Sequence, residues 1–239
     1  MKNITIVLLF IVGIVIPSQA QFGKLLDKAK AVVTGDEGGL NVAGGLKEAL
    51  EVGVNEAVES LSSENGYFGS PYKILIPEDA RKVISTVSKV PGFNNVEKDL
   101  LAKMNEAAEI AAKKAGPVFF EAIKQMTFQD ATNILMGEKD AATRYLEETS
   151  GQALYKEFMP VIQKALDEVN ARSLWKSAVD AYNKIPFQKK MNPDLDDHVN
   201  TYALKGMFSL VEKKEEGIRQ DVGLRTSPIL KEVFAKQDK

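Results

Sequence analysis

From Leu46 onward, apolar residues recur at three- and four-residue spacing, and no stretch alternates with period two for long enough to build a sheet. Leu46, Ala49, Leu50, Val54, Ala57, Val58 and Leu61 mark one face of a first long helix. The segment from Tyr67 to Pro77, rich in aromatics and punctuated by Gly69, Pro71 and Pro77, breaks this rhythm and reads as a packed loop with at most one short extended piece. Pro77 with Glu78 and Asp79 opens the next helix, because proline tolerates the first turn and acids complement the positive end of the helix dipole. That helix runs to Pro91.

Asn94 or Asn95 is the expected cap of a helix in which Val96, Leu100, Met104, Ala107, Ala111 and Ala115 share a face widened by Leu101, Ala108 and Ala112. An arc that broad implies neighbours on two sides. Gly116-Pro117 starts a helix to Met126, and Thr127 with Asp130 forms a cap pair for Phe128 to Met136, closed by Gly137. A helix from Ala141 to Thr149 is expected to stop before Gly151, and a separate one from Leu154 to Val169 to be interrupted at Pro160. Leu174, Trp175, Ala178, Val179 and Tyr182 define another. Asn192-Pro193-Asp194 is a start signal for Leu195 to Glu216, and Ser227-Pro228 for a short last helix. The predicted fold is all-α, a multi-helix bundle of about nine or ten helices.

The start of the chain follows other rules. Lys2, an apolar run from Ile4 to Ile16, Pro17 and the Ser18-Gln19-Ala20 ending match a secretory signal cleaved after Ala20. The run is shorter than the roughly 20 apolar residues that span a bilayer. Residues 21–34 read as a short amphipathic helix, with Phe22, Leu25, Leu26, Ala29, Val32 and Val33 on one side and Lys24, Lys28 and Lys30 among the polar positions. Such a basic amphipathic face, Phe22 to Val33, suits contact with an anionic membrane surface. Gly35, Gly38, Gly39, Gly44 and Gly45 make residues 35–45 a Gly-rich linker before a single helical domain at 46–239. The expected location is the bacterial periplasm or the exterior.

Composition removes whole classes of chemistry. The 239 residues contain no Cys, which excludes disulfides, thiol nucleophiles, thiolate metal sites and a lipid-carrying cysteine. Lys plus Arg number 31 and Asp plus Glu 33, interspersed, for a net charge of -2, so nucleic acid is not an expected partner. One His is present, and a multi-histidine zinc site is excluded. Nucleophile-elbow and phosphate-loop motifs are missing, and no cofactor is expected.

Two constellations remain. Asp194, Asp197 and His198 cluster at a helix start, where they form a weak metal or acid-base candidate against the simpler reading of acids complementing a helix dipole. Asn105 and Glu109 lie one turn apart at the edge of the Ala-rich arc; if buried they need partners, for which Thr143, Arg144 and Tyr145 are candidates. Together with Asp130 they make a candidate ligand-binding set of Asn105, Glu109, Asp130, Thr143 and Tyr145. Arg219 and Asp221 are expected to tie down the C-terminal turn.

The runs Gly45-Leu46-Lys47-Glu48-Ala49-Leu50, Met104-Asn105-Glu106-Ala107-Ala108-Glu109, Met126-Thr127-Phe128-Gln129-Asp130-Ala131, Ile134-Leu135-Met136-Gly137, Ala141-Ala142-Thr143-Arg144-Tyr145, Ile218-Arg219-Gln220-Asp221 and Leu230-Lys231-Glu232-Val233-Phe234 occur in order. In these the chain resembles a bacterial exported family catalogued as domain of unknown function 4197, over roughly residues 40 to 236. The resemblance implies an exported helical domain and supplies no activity. Val222 stands where similar proteins often carry Pro, which implies a looser turn before Arg225.

The expected function is a non-enzymatic binding or interaction domain for an envelope partner or a small apolar ligand, with Tyr67, Phe68 and Tyr72 as recognition aromatics. Phe119, Phe120, Met126 and Phe128 mark a break where helices can part around a ligand. The alternatives are a carboxylate-based hydrolase or metal-dependent enzyme using Glu109, Asp130, Asp194 or Asp197, and an envelope-surface protein attached through its N-terminal helix.

Overall fold

The computed structural model describes residues 37–225 and 228–235; the expected signal, the amphipathic helix and the beginning of the Gly-rich stretch lie outside them. Among the described residues there are nine α-helices, one 3-10 turn and no strand. The chain divides into two units, Met1–Leu40 and Asn41–Lys239, and apart from residues 37–40 everything below concerns the second.

Helix α1, Glu37–Ser62, buries Leu46, Ala49, Leu50, Val54, Ala57 and Leu61, the stripe its spacing predicts. It begins earlier than expected. Gly38, Gly39, Gly44 and Gly45 are helical residues and not a linker, a correction to the predicted boundary. The cost of glycine in a helix, about 1 kcal/mol each, does not outweigh a helix that continues for 26 residues.

Helix α2 is Glu78–Val87 and α3 is Val96–Ala112. In α3, Leu100, Met104, Ala107, Ala108, Ala111 and Ala112 are all fully buried. Small side chains on a wide arc let three helices approach, and α3 packs on α6 (Ala141–Glu168), α7 (Ala171–Asn183) and α8 (Asp196–Gln220). Asn95 occupies the cap position of α3 but makes no side-chain capping bond. Helix α4 (Ala115–Gln125) carries Gly116 and Pro117 in its first turn, and α5 (Phe128–Leu135) starts with the predicted box: Thr127 accepts from the Asp130 amide and Asp130 from the Thr127 amide.

The largest departure is α6. One 28-residue helix replaces the two expected, running through Gly151 and Pro160. Its buried residues Ala142, Leu146, Ser150, Leu154, Phe158, Ile162 and Leu166 recur at a strict four-residue interval on both sides of the two breakers. Burial of that continuous stripe against α3, α4 and α8 outweighs the roughly 1 kcal/mol cost of glycine and 3 kcal/mol of proline. Asn170, with φ of 59°, makes the left-handed turn into α7. Asp194 accepts from the Asp196 amide, so α8 begins just after the predicted Leu195.

The turn before Arg225 is not loose. Val222–Leu224 form a 3-10 turn capped by Asp221, whose Oδ1 accepts from the Gly223 amide at 2.7 Å. Arg225 is fully buried, donating to the carbonyls of Ile218 and Arg219. Helix α9, Pro228–Phe234, closes the described chain with Phe234 beneath the guanidinium groups of Arg219 and Arg225.

Candidate functional site

After Ser62 the chain turns through residues 63–66 and delivers the aromatic loop. A Cβ on Gly66 would lie 2.4 Å from the Ser60 carbonyl, so only glycine fits that turn. Glu109 on α3 receives the loop: its Oε1 accepts from the amides of Tyr67 at 3.1 Å and Phe68 at 3.2 Å, and its Oε2 from that of Asn65 at 3.3 Å. One turn earlier, fully buried Asn105 brackets Ile74, accepting from its amide at 2.8 Å and donating to its carbonyl at 2.9 Å. The pair therefore acts as two staples. An isolated extended segment has no sheet partner, and these side chains supply the bonds a neighbouring strand would give.

The loop is also fastened to α8. Tyr67 is completely buried and its hydroxyl donates to the Ala203 carbonyl at 2.7 Å; burial, with the Glu109 charge beside it, pushes the phenol far above its usual pKa. His198 Nε2 donates to the Leu75 carbonyl at 2.8 Å. Gly206 permits the close approach, since a Cβ there would lie 3.0 Å from the Tyr67 ring and 3.2 Å from Tyr72 Cβ.

Between this loop and α8 lies an open groove of about 480 Å³. Lys73, Leu75, Glu78 and Arg81 form one wall, and His198, Tyr202 and Lys205 the other. Leu75 and Tyr202 are 55% and 45% exposed, an apolar-aromatic floor open to solvent. The Tyr202 ring lies 4.6 Å from His198, with the Lys205 ammonium 4.9 Å from its centre, and the Lys73 ammonium sits 3.9 Å over Phe68. Three cations face one carboxylate here. Among the described residues none of Lys73, Arg81 and Lys205 forms an ion pair.

The other predicted residues are placed elsewhere. Thr143 does not meet Asn105 or Glu109: its amide and hydroxyl both donate to Glu215 at 2.8 Å. Tyr145 reaches Asp130 at 3.5 Å, and Asp130 is held below the usual carboxylate pKa by the Thr127 hydroxyl and amide. Arg144 pairs with Asp140, Glu147 and Glu212. The predicted set is thus split between the loop staples (Asn105, Glu109), the α5 cap (Asp130, Tyr145) and the α6 start (Thr143).

Asp194, Asp197 and His198 also diverge. Asp194 caps the Asp196 amide, Asp197 accepts from the Tyr155 hydroxyl, and His198 holds Leu75. Among the described residues no group of three or more His, Cys, Asp or Glu is arranged to hold a metal ion. Phe119 packs edge-on against Phe208 at 5.3 Å and Met126 is buried with it in the core, while Phe128 is exposed. That break is filled by the protein's own side chains.

Sequence reasoning missed Glu215. It is buried on α8, accepts from the amides of Ala142 and Thr143, and pairs with Arg219 at 2.8 Å; Arg219 in turn donates to the Ile134 and Leu135 carbonyls. Two orphan amides at the start of α6 are thereby satisfied by one ion pair, whose arginine also binds the last carbonyls of α5. The space beside it, lined by Leu46, Leu50, Val211 and Phe234, is about 10 Å³, room for a single water. Its signal in the sequence was the one-turn spacing of Glu215 and Arg219 within an apolar stripe.

These features define a class: an all-α bundle whose distinctive surface is a stapled aromatic loop against its longest C-terminal helix. The chain belongs to the family described as protein of unknown function (DUF4197), whose model matches residues 38–235. No curated protein and no solved structure matches it. Within the matched range, the run Met104 to Glu109 contains both loop staples, and the run Ala141 to Tyr145 contains the helix start that Glu215 caps.

Proposed function

We propose that this is an exported, non-enzymatic interaction domain that uses the groove between the 71–81 segment and α8 to hold an acidic, partly apolar segment of an envelope partner. One observation carries the reading: Lys73, Arg81 and Lys205 border an exposed Leu75 and Tyr202 without ion-pair partners among the described residues, on a backbone stapled in place. Cations left unpaired around an aromatic floor favour an anionic ligand, and a rigid frame lowers the ordering cost of binding it. The first twenty residues support export. Scattering of Glu109, Asp130, Asp194 and Asp197 into separate structural tasks favours binding over carboxylate chemistry.

The test is an amide chemical-shift titration of the chain from Gln21 with a synthetic peptide alternating Glu and Leu. Shifts confined to residues 71–81 and 198–209, weakened about tenfold by Arg81→Glu with Lys205→Glu, are expected. Shifts scattered over the surface, or unchanged affinity in the double variant, would overturn the assignment.

A further inference from the structure

A second surface feature lies apart from the groove's lining, in the turn after α7. Phe187 is 107% exposed, with no neighbour covering its ring, and its φ is 65°. A bulky aromatic in the left-handed region is strained, and an unburied ring forgoes the main favourable term in folding. Neither cost is offset within the described residues. The turn is nevertheless held firmly at its base: Asn183 donates to the Met191 carbonyl at 3.1 Å and accepts from its amide at 2.9 Å, and the Tyr182 hydroxyl donates to Gln188 at 3.1 Å. The ring is presented by a braced support.

Its surroundings are basic. The segment Lys184 to Lys190 carries Lys184, Lys189 and Lys190, all exposed, and no acid. Glu78 and Asp79 share a crevice with Lys189 and Lys190, together with Lys82, so cations predominate. A protruding apolar ring flanked in sequence by exposed lysines matches an anionic lipid surface, where the ring enters the headgroup boundary and the ammonium groups meet phosphates. A protein pocket would need a partner shaped to a tip, whereas a bilayer accepts any convex apolar wedge.

We infer that the Phe187 turn is a membrane-surface insertion tip, docking the domain on anionic phospholipid. The occupant is a phosphatidylglycerol-containing bilayer. One tip of this kind gives reversible binding that weakens as salt screens the lysines.

The test uses the chain from Gln21 with vesicles of phosphatidylglycerol and phosphatidylcholine at 3:7. Phe187→Ala is expected to lower the bound fraction at least tenfold, Lys189→Glu with Lys190→Glu to do the same, and pure phosphatidylcholine vesicles to bind poorly. In Phe187→Trp, the new indole is expected to shift to the blue on the anionic vesicles and to be quenched by brominated phosphatidylcholine included in them. Trp175, fully buried, remains unquenched as an internal control. Phe187→Gly separates function from fold, because it relieves the positive φ: binding is lost while thermal stability rises. Equal flotation of Phe187→Ala and the unaltered chain would overturn the inference, since attachment through residues 21–34 is common to both. An indole left unquenched in Phe187→Trp would overturn it equally, and would point to a protein surface as the occupant.

Discussion

Three side chains show how far single residues govern this fold. Among the described residues Asn105 alone bonds both backbone groups of Ile74, so Asn105→Ala leaves a buried amide and a buried carbonyl unpaired. The expected loss is about 2–6 kcal/mol by urea denaturation, at roughly 1–3 kcal/mol for each of the two stranded groups. A loss below about 1 kcal/mol would mean that water replaces the staple. Glu215→Ala should be as damaging, about 3–5 kcal/mol, because Arg219 keeps a charge at 6% side-chain exposure with its partner removed. Asp196 works in the opposite sense. Burial raises its carboxyl above the ordinary 3.8, in spite of Gln163 and Arg172 nearby, so the folded chain holds that proton to a higher pH than the unfolded chain. Stability from this group therefore falls as pH rises through the raised value. Asp196→Asn is expected to melt higher than the unaltered chain at pH 7 and to converge with it below about pH 3.5. A variant less stable at pH 7 would show that the 3.4 Å contact with Arg172 outweighs the burial cost.

Among the elements, α6 is where local grammar and tertiary packing disagree. Gly151 and Pro160 are breakers by any local rule, and the four-residue stripe from Ala142 to Leu166 overrides both. No atom would meet a Cβ at Gly151, and its φ is not positive, so Gly151→Ala is expected to add about 0.5–1 kcal/mol, read as a higher urea midpoint. A lower midpoint would reveal a helix locally unlike its neighbours. The Thr127–Asp130 box was legible because both halves lie within one turn of chain, and the buried face of α1 because period reports face. The roles of Asn105 and Glu109 were not. Their residue types announced a polar network, but the partners are backbone groups 31 to 44 residues away, which no spacing encodes. The groove was hidden for the same reason: the 71–81 segment and α8 are brought together only by tertiary contacts such as Tyr67 to Ala203.

For the molecule as a whole, the order in which contacts can form follows from that last bond. Tyr67 and Ala203 are 136 residues apart, and His198 and Leu75 are 123 apart. Closing loops of that length carries an entropy cost that only a largely assembled core can offset. The 65–77 segment should therefore dock after the folding barrier, and Asn105→Ala should speed unfolding while leaving the refolding rate nearly unchanged in stopped-flow chevrons. A matching drop in the refolding rate would place the loop in the nucleus instead. For a chain synthesised from its N-terminus, the consequence is one of timing. The groove has one wall early and the other only when α8 has emerged, so a chain truncated before α8 presents no complete groove. Its display is itself a certificate that the chain has been assembled as far as α8.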